Sequence, residues 1–133
     1  INCPSKLNSS AIDEFLIIFL VAAKAKGVSK FKDLGEMNKK ESKRLDLAIK
    51  FLKLIGIKVE RYKNDIKIYG KPNLILSKNY QMKNFLKDHR IFFLSCITAL
   101  TLGGKWKIHD KDSINTSFPD FLKILKRLGA NIN

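Results

Sequence analysis

Residues 52–59 read Leu-Lys-Leu-Ile-Gly-Ile-Lys-Val, and residues 125–132 read Leu-Lys-Arg-Leu-Gly-Ala-Asn-Ile. The two stretches lie 73 positions apart and share one plan. Each reads as the last turn of a helix, a glycine that stops it, and the start of a strand. Upstream of the first copy, Glu41-Ser42 opens a predicted helix over 44–55, with Leu45, Ala48, Ile49, Leu52 and Ile55 on one face. Further back, Asp13-Glu14 precedes the apolar run that begins at Phe15 and ends at Gly27, and Val28 to Phe31 reads as a short strand. Downstream, Ile57-Lys58-Val59 and Ile66-Lys67-Ile68 alternate as strands, with Asn64-Asp65 as the hairpin turn.

The second half follows the same order. Asp88-His89-Arg90 precedes the apolar run 91–102, Gly103-Gly104 ends it, and Trp106 to Ile108 reads as a strand. Thr116-Ser117 is expected to cap a helix from Phe118 to Leu128, with Pro119 tolerated in its first turn. Gly129 closes that helix and Ala130 to Ile132 restart a strand. Asn73 to Ser77 is the expected first strand of the second copy, followed by a polar link at 78–87. The interval from Asp13 to Glu41 is 28 residues, and so is that from Asp88 to Thr116. The expectation is an α/β (α+β) chain of two pseudo-repeats, 1–72 and 73–133, each a βαβαββ unit. The period is too long for a solenoid, so this is a duplicated subdomain.

Composition bounds what such a chain can do. With 133 residues, 45% of them hydrophobic, it is enough for one compact domain with a buried core. Lysine and arginine total 26 against 12 acidic residues, a net charge of +14 that calls for an anionic partner or reflects codon bias. Cys3 and Cys96 stand alone, which excludes a disulfide framework or a Cys-based zinc site. The longest apolar runs, Phe15 to Ala23 and Ile91 to Leu102, fall short of the ~18–20 residues that cross a bilayer. A cytoplasmic chain with no membrane partner is expected. It opens on Ile1 rather than Met and so reads as truncated.

The polar residues gather just before helices: Asp13-Glu14, Lys40-Glu41, Asp88-His89-Arg90 and Thr116-Ser117. Helix N-termini expose free N–H groups and a partial positive charge of about +0.5, so they suit phosphate or carboxylate. Plain capping explains the acidic and hydroxyl residues equally well. It does not explain Lys40, Arg44 and Arg90, because cations are disfavoured there unless an anion is also present.

Ile12-Asp13-Glu14-Phe15, Lys40-Glu41-Ser42-Lys43-Arg44-Leu45, Asp88-His89-Arg90-Ile91 and Thr116-Ser117-Phe118-Pro119-Asp120-Phe121 resemble, in order and spacing, the C-terminal motifs of the 3-phosphoshikimate 1-carboxyvinyltransferase (EPSP synthase) family. The related UDP-N-acetylglucosamine enolpyruvyl transferases share the fold but fit these motifs less well. The resemblance implies the inverse α/β barrel of the enolpyruvyl transferases, with this chain as two units of the C-terminal domain. It also implies transfer of the carboxyvinyl group of phosphoenolpyruvate to the 5-hydroxyl of shikimate 3-phosphate, a shikimate-pathway step toward aromatic amino acids, with no metal and no cofactor.

Residue roles follow from the same resemblance. Asp13 matches the aspartate that holds the shikimate hydroxyls and accepts a proton, and Glu41 the glutamate that protonates the methylene carbon. Two carboxylates in different surroundings can divide acid and base duty. Lys40 matches a lysine on the shikimate 3-phosphate side. Arg44 and Arg90 match arginines that clamp phosphoenolpyruvate, a bidentate task that lysine performs poorly. His89 is expected to orient the site, although a lone histidine is also an ordinary structural residue. Three positions depart from the pattern. Lys43 replaces the usual Asp, which removes a local ion pair with Arg44. Thr116 stands where some members carry Lys, and Glu36 where some carry Asn.

The family's N-terminal domain, the opposite wall of its cleft, is not in these residues, so the chain alone is expected to be inactive. The charge also admits a small basic nucleic-acid binder. Against that, the lysines are dispersed, no RNP, KH or zinc pattern is present, and the aromatics sit inside apolar runs. A noncatalytic remnant domain is the third reading. Cys96 is expected to be a buried thiol and Cys3 a free one, with Trp106 on the inner side of a half-buried strand.

Overall fold

The structure is a computed structural model and describes residues 1–85 and 87–133. The chain divides into two compact units, residues 1–76 and 77–133.

The first unit is a four-stranded sheet with two helices on one face. Strand β1 (Asn2–Cys3) leads through a 3-10 turn (Ser5–Leu7) and helix α1 (Asn8–Ala11) into helix α2 (Phe15–Lys24) and strand β2 (Val28–Phe31). A second 3-10 turn (Gly35–Lys39) precedes helix α3 (Arg44–Leu54), and strands β3 (Lys58–Tyr62) and β4 (Asp65–Tyr69) close the sheet. The order is β1-β2-β4-β3, with β1 and β2 parallel and the other pairs antiparallel. Register explains the burial. Ser29 and Val59 both pair with Ile68, and Phe31 and Arg61 both pair with Ile66, so these six side chains share one face. Helix α2 packs on β4 and α3 on β3 over that face. Phe15, Phe19 and Phe31 form the centre, with the Phe19 and Phe31 rings edge-on at 4.9 Å. The opposite face carries Lys30, Lys58, Glu60 and Lys67 and is exposed.

In the second unit, strand β5 (Leu76–Met82), which begins at the boundary, pairs with strand β6 (Gly103–Ile108). Helix α4 (His89–Leu102) connects them, and a 3-10 turn (Lys111–Ile114) and helix α5 (Phe121–Arg127) follow. Phe92, Cys96, Ile114 and Leu125 form its core, flanked by Phe93 and Phe121 with ring centroids 4.6 Å apart. Two buried hydroxyls on α4 are satisfied within the helix: Ser95 donates to Ile91 O (2.8 Å) and Thr98 to Leu94 O (2.7 Å). Gly103 stops α4 at φ 89°, a conformation that costs other residues more. Trp106 is half-buried and stacks on Tyr80 at 4.6 Å.

Several elements differ from the sequence reading. The polar link expected at 78–87 is strand as far as Met82, because β5 pairs with β6, with Tyr80 half-buried and Met82 buried on either side of exposed Gln81; Leu86 lies outside the described residues. The hairpin turn is Lys63-Asn64, with Lys63 left-handed at φ 54°, and Asp65 is the first residue of β4. Thr116-Ser117 does not cap a helix. Residues 115–117 are a turn, with Ser117 N and Phe118 N both bonded to Ile114 O, and α5 starts only at Phe121. Pro119 explains the delay, since the residue before a proline is steered away from the helical region. Ala130 to Ile132 is not a strand. Ala130 and Ile132 pack against the second core instead, and no ladder partner is present for them among the described residues.

Candidate active site

The first turn of α3 brings charged side chains from three segments of the first unit together. Arg44, the first helical residue, is only 3% exposed. Its Nη1 lies 3.6 Å from Asp13 Oδ1 and its Nη2 lies 3.5 Å from Glu41 Oε1. Both carboxylates remain nearly half exposed, so they can meet a ligand that the guanidinium orders them around. Asp13 sits in the turn between α1 and α2, and Glu41 in the loop that enters α3. Lys43, at the cap position, makes no side-chain cap bond. Arg44 lacks the local ion pair an aspartate there would offer, and is held instead by Asp13 and Glu41.

The cap comes from elsewhere. Asn38, in the preceding 3-10 turn, accepts from Leu45 N (3.0 Å) and Asp46 N (3.3 Å) through Oδ1, and its Nδ2 donates to Asp46 Oδ1 (3.1 Å). Arg61 of β3 donates to the same Asp46 oxygen, and this hydrogen bond holds the Asp46 carboxyl below its ordinary pKa. The loop before Asn38 is pinned to the hairpin turn: Asp33 N donates to Asp65 Oδ1 (2.8 Å) and Leu34 N to Asn64 O (2.9 Å). Sequence spacing gave no signal for Asn38, because it is not adjacent to any helix start.

Beside this turn opens a cleft of about 550 Å³, lined in part by Ser5, Lys6, Asn8, Ser9, Glu36 and Lys39. Asn8 fixes its wall by donating to Lys32 O (2.8 Å) and Asp33 O (2.9 Å). Sequence reasoning passed over Ser5, Lys6, Asn8 and Ser9, although the polar run Ser5-Lys6-Leu7-Asn8-Ser9-Ser10 was their available signal. Glu36 is exposed and pairs with Lys39 at 2.9 Å. Lys40 is exposed on the loop, next to Glu41.

In the second unit, Asp88 is the N-cap of α4. It is 2% exposed, and its Oδ1 accepts from Arg90 N (2.9 Å) and Ile91 N (3.3 Å). His89 and Arg90 are the first two helical residues and are half-buried. The His89 ring meets Phe93 edge-on at 6.0 Å. Thr116 is exposed in its turn. No described helix is long and apolar enough to cross a membrane.

Known proteins share both this sequence and this fold. A family model described as EPSP synthase (3-phosphoshikimate 1-carboxyvinyltransferase) matches residues 7–125. The 3-phosphoshikimate 1-carboxyvinyltransferase of Ruthia magnifica is 36% identical over all of this chain and 30% of its own length. That of Zymomonas mobilis is 35% identical over 98% of the chain and 29% of its own. Among solved structures, an EPSP synthase from Acinetobacter baumannii superposes with a TM-score of 0.81 at 28% identity, over 100% of this chain and 31% of the other. The enolpyruvyl transferase NikO of Streptomyces tendae shares the fold at a TM-score of 0.63 and 18% identity, over 91% of this chain and 26% of its own. The chain spans about 30% of the length of the curated relatives it matches. It belongs to the EPSP synthase family.

Proposed function

We propose that this chain is the C-terminal part of an enolpyruvyl transferase that joins phosphoenolpyruvate to the 5-hydroxyl of shikimate 3-phosphate and releases phosphate. The observation that carries the reading is the buried Arg44 held between Asp13 and Glu41, 3.6 and 3.5 Å away. A cation ordered between two half-exposed carboxylates supplies both an anion clamp and two proton-transfer groups. In the addition step, the 5-hydroxyl oxygen bonds to the enol carbon and gives its proton to Asp13, while Glu41 delivers a proton to the methylene carbon. In the elimination step, that carbon returns its proton to Glu41, the carbon–oxygen bond to phosphate breaks, and phosphate departs with the proton that Asp13 had taken, which resets both carboxyl groups. Arg44 binds the anionic groups of phosphoenolpyruvate, Arg90 shares that duty, and Lys40 meets the phosphate of shikimate 3-phosphate. His89 orients the site. The chain is two pseudo-repeats, 1–72 and 73–133, built on one βαβαββ plan of which the second carries the βαβα portion, and the protein works in the cytoplasm with an N-terminal domain that completes the cleft.

The test is to graft these 133 residues in place of the matching stretch of the Ruthia magnifica relative and to follow phosphate release from the two substrates. The chain alone is expected to release none, and the graft to turn over. In the graft, Asp13→Asn and Glu41→Gln are each expected to lower kcat by about 10²–10⁴-fold. Arg44→Lys is expected to raise KM for phosphoenolpyruvate by about tenfold or more, since lysine cannot form the paired contact. A graft that keeps full activity with both carboxylates neutralised would overturn the reading.

A further inference from the structure

We propose that Asn38 is a positioning residue for Arg44, setting the start of α3 from outside the helix; the inference deepens the role given above to Arg44 and rests on it. An N-cap side chain normally accepts from the second and third helical N–H groups. In α3 those are Leu45 N and Asp46 N, and Lys43 at the cap position has no oxygen to offer. Asn38 Oδ1 takes both, at 3.0 and 3.3 Å, from a separate 3-10 turn.

The amide can face only one way. Its Nδ2 must point to the Asp46 carboxylate, 3.1 Å away, and Arg61 fixes that carboxylate from β3. With the amide so oriented, Oδ1 is directed at the helix start. The charge around it makes this cap necessary. Lys39, Lys40, Lys43 and Arg44 crowd the positive end of the helix, where cations are disfavoured. Arg44 precedes Leu45 directly and is buried, so a turn that frays at Leu45 and Asp46 carries the guanidinium away from Asp13 and Glu41. Asn38 touches no substrate in this scheme and acts through Arg44.

The test uses the 133-residue chain and nuclear magnetic resonance. Without ligand, Asn38→Ala is expected to shift the Arg44 Nε–H resonance and to speed hydrogen exchange at Leu45 and Asp46. Phosphoenolpyruvate is then added, and its dissociation constant is expected to rise about tenfold, the scale on which a lost cap is felt. Asn38→Ala combined with Lys43→Asp should restore the resonance, the protection and the affinity, because an aspartate at the cap position supplies the missing acceptor. Val59→Ala, which trims the core under the same helix, should lower stability and leave the Arg44 resonance in place. An Arg44 resonance unmoved by Asn38→Ala, or moved equally by Val59→Ala, would overturn the proposal. Where the unaltered chain does not bind phosphoenolpyruvate without the rest of the cleft, the affinity is read in the Ruthia magnifica graft, and failure there counts against the enzymatic reading alone, since the ligand-free measurements decide Asn38 by themselves.

Discussion

The carboxylate of Asp46 in the first turn of α3 accepts a hydrogen bond from Arg61 Nη1 on β3, so one ion pair ties the helix start to the neighbouring strand. Arg61 lies on the buried face of the sheet at its edge, opposite Ile66, and that register lets it reach α3.

A pH dependence follows from this pair. The folded Asp46 pKa lies below its ordinary value of 3.8, first because of the Arg61 hydrogen bond. Its contribution to stability is therefore complete above pH ~4 and is lost as pH falls through the lowered folded value. Asp46→Asn should have a lower urea midpoint than the unaltered chain at neutral pH, and the gap should close on acidification. The pair is partly exposed, so the gap is small, within about 1 kcal/mol. A gap that stays constant down to pH 2 would contradict the assignment.

Asp88 offers a test in the second unit. It is buried and caps α4 through two backbone N–H groups. Asp88→Ala should cost about 1–2 kcal/mol in urea unfolding, while Asp88→Asn, which still caps, should cost less. Equal costs for the two variants would show that charge rather than capping holds the residue.

The two cysteines should react very differently. Burial pushes the Cys96 thiol up to about 12, whereas Cys3 is only half-buried. At pH 8 the thiolate fraction of Cys96 is about one in 10⁴, so its alkylation should wait for unfolding. Labelling with iodoacetamide followed by mass spectrometry should show Cys3 modified first in the native chain and both modified in urea. Rapid native labelling of Cys96 would mean that the second core opens.

Much of the local structure was legible. The period of Leu45, Ala48, Ile49 and Leu52 predicted α3, and the alternation of Ile66 and Ile68 predicted β4, because both patterns depend only on near neighbours in the chain. Asp88 stood one residue before its helix, where a cap can be read directly. The failures share a different cause. Thr116-Ser117 had the right residue types for a cap, yet Pro119 and the turn on Ile114 moved the helix start to Phe121. Ala130 to Ile132 had the alternation of a strand, but a strand also requires a neighbour with free N–H and C=O groups.

The candidate site divides along the same line. Asp13 could be singled out in the sequence from one motif, and Glu41 and Arg44 from another. Their convergence on one guanidinium was decided by the packing of α2 and α3 over one sheet face. Asn38 had no motif at all, and its role emerges only when the 3-10 turn is folded against α3. The sequence by itself determined helices α2 to α4, strands β2 to β4 and the family, because periodicity and motif spacing are written between near neighbours. Only the tertiary structure decided which residue caps α3 and which carboxylates hold Arg44, because hydrogen bonds and ion pairs act through space over a few ångströms.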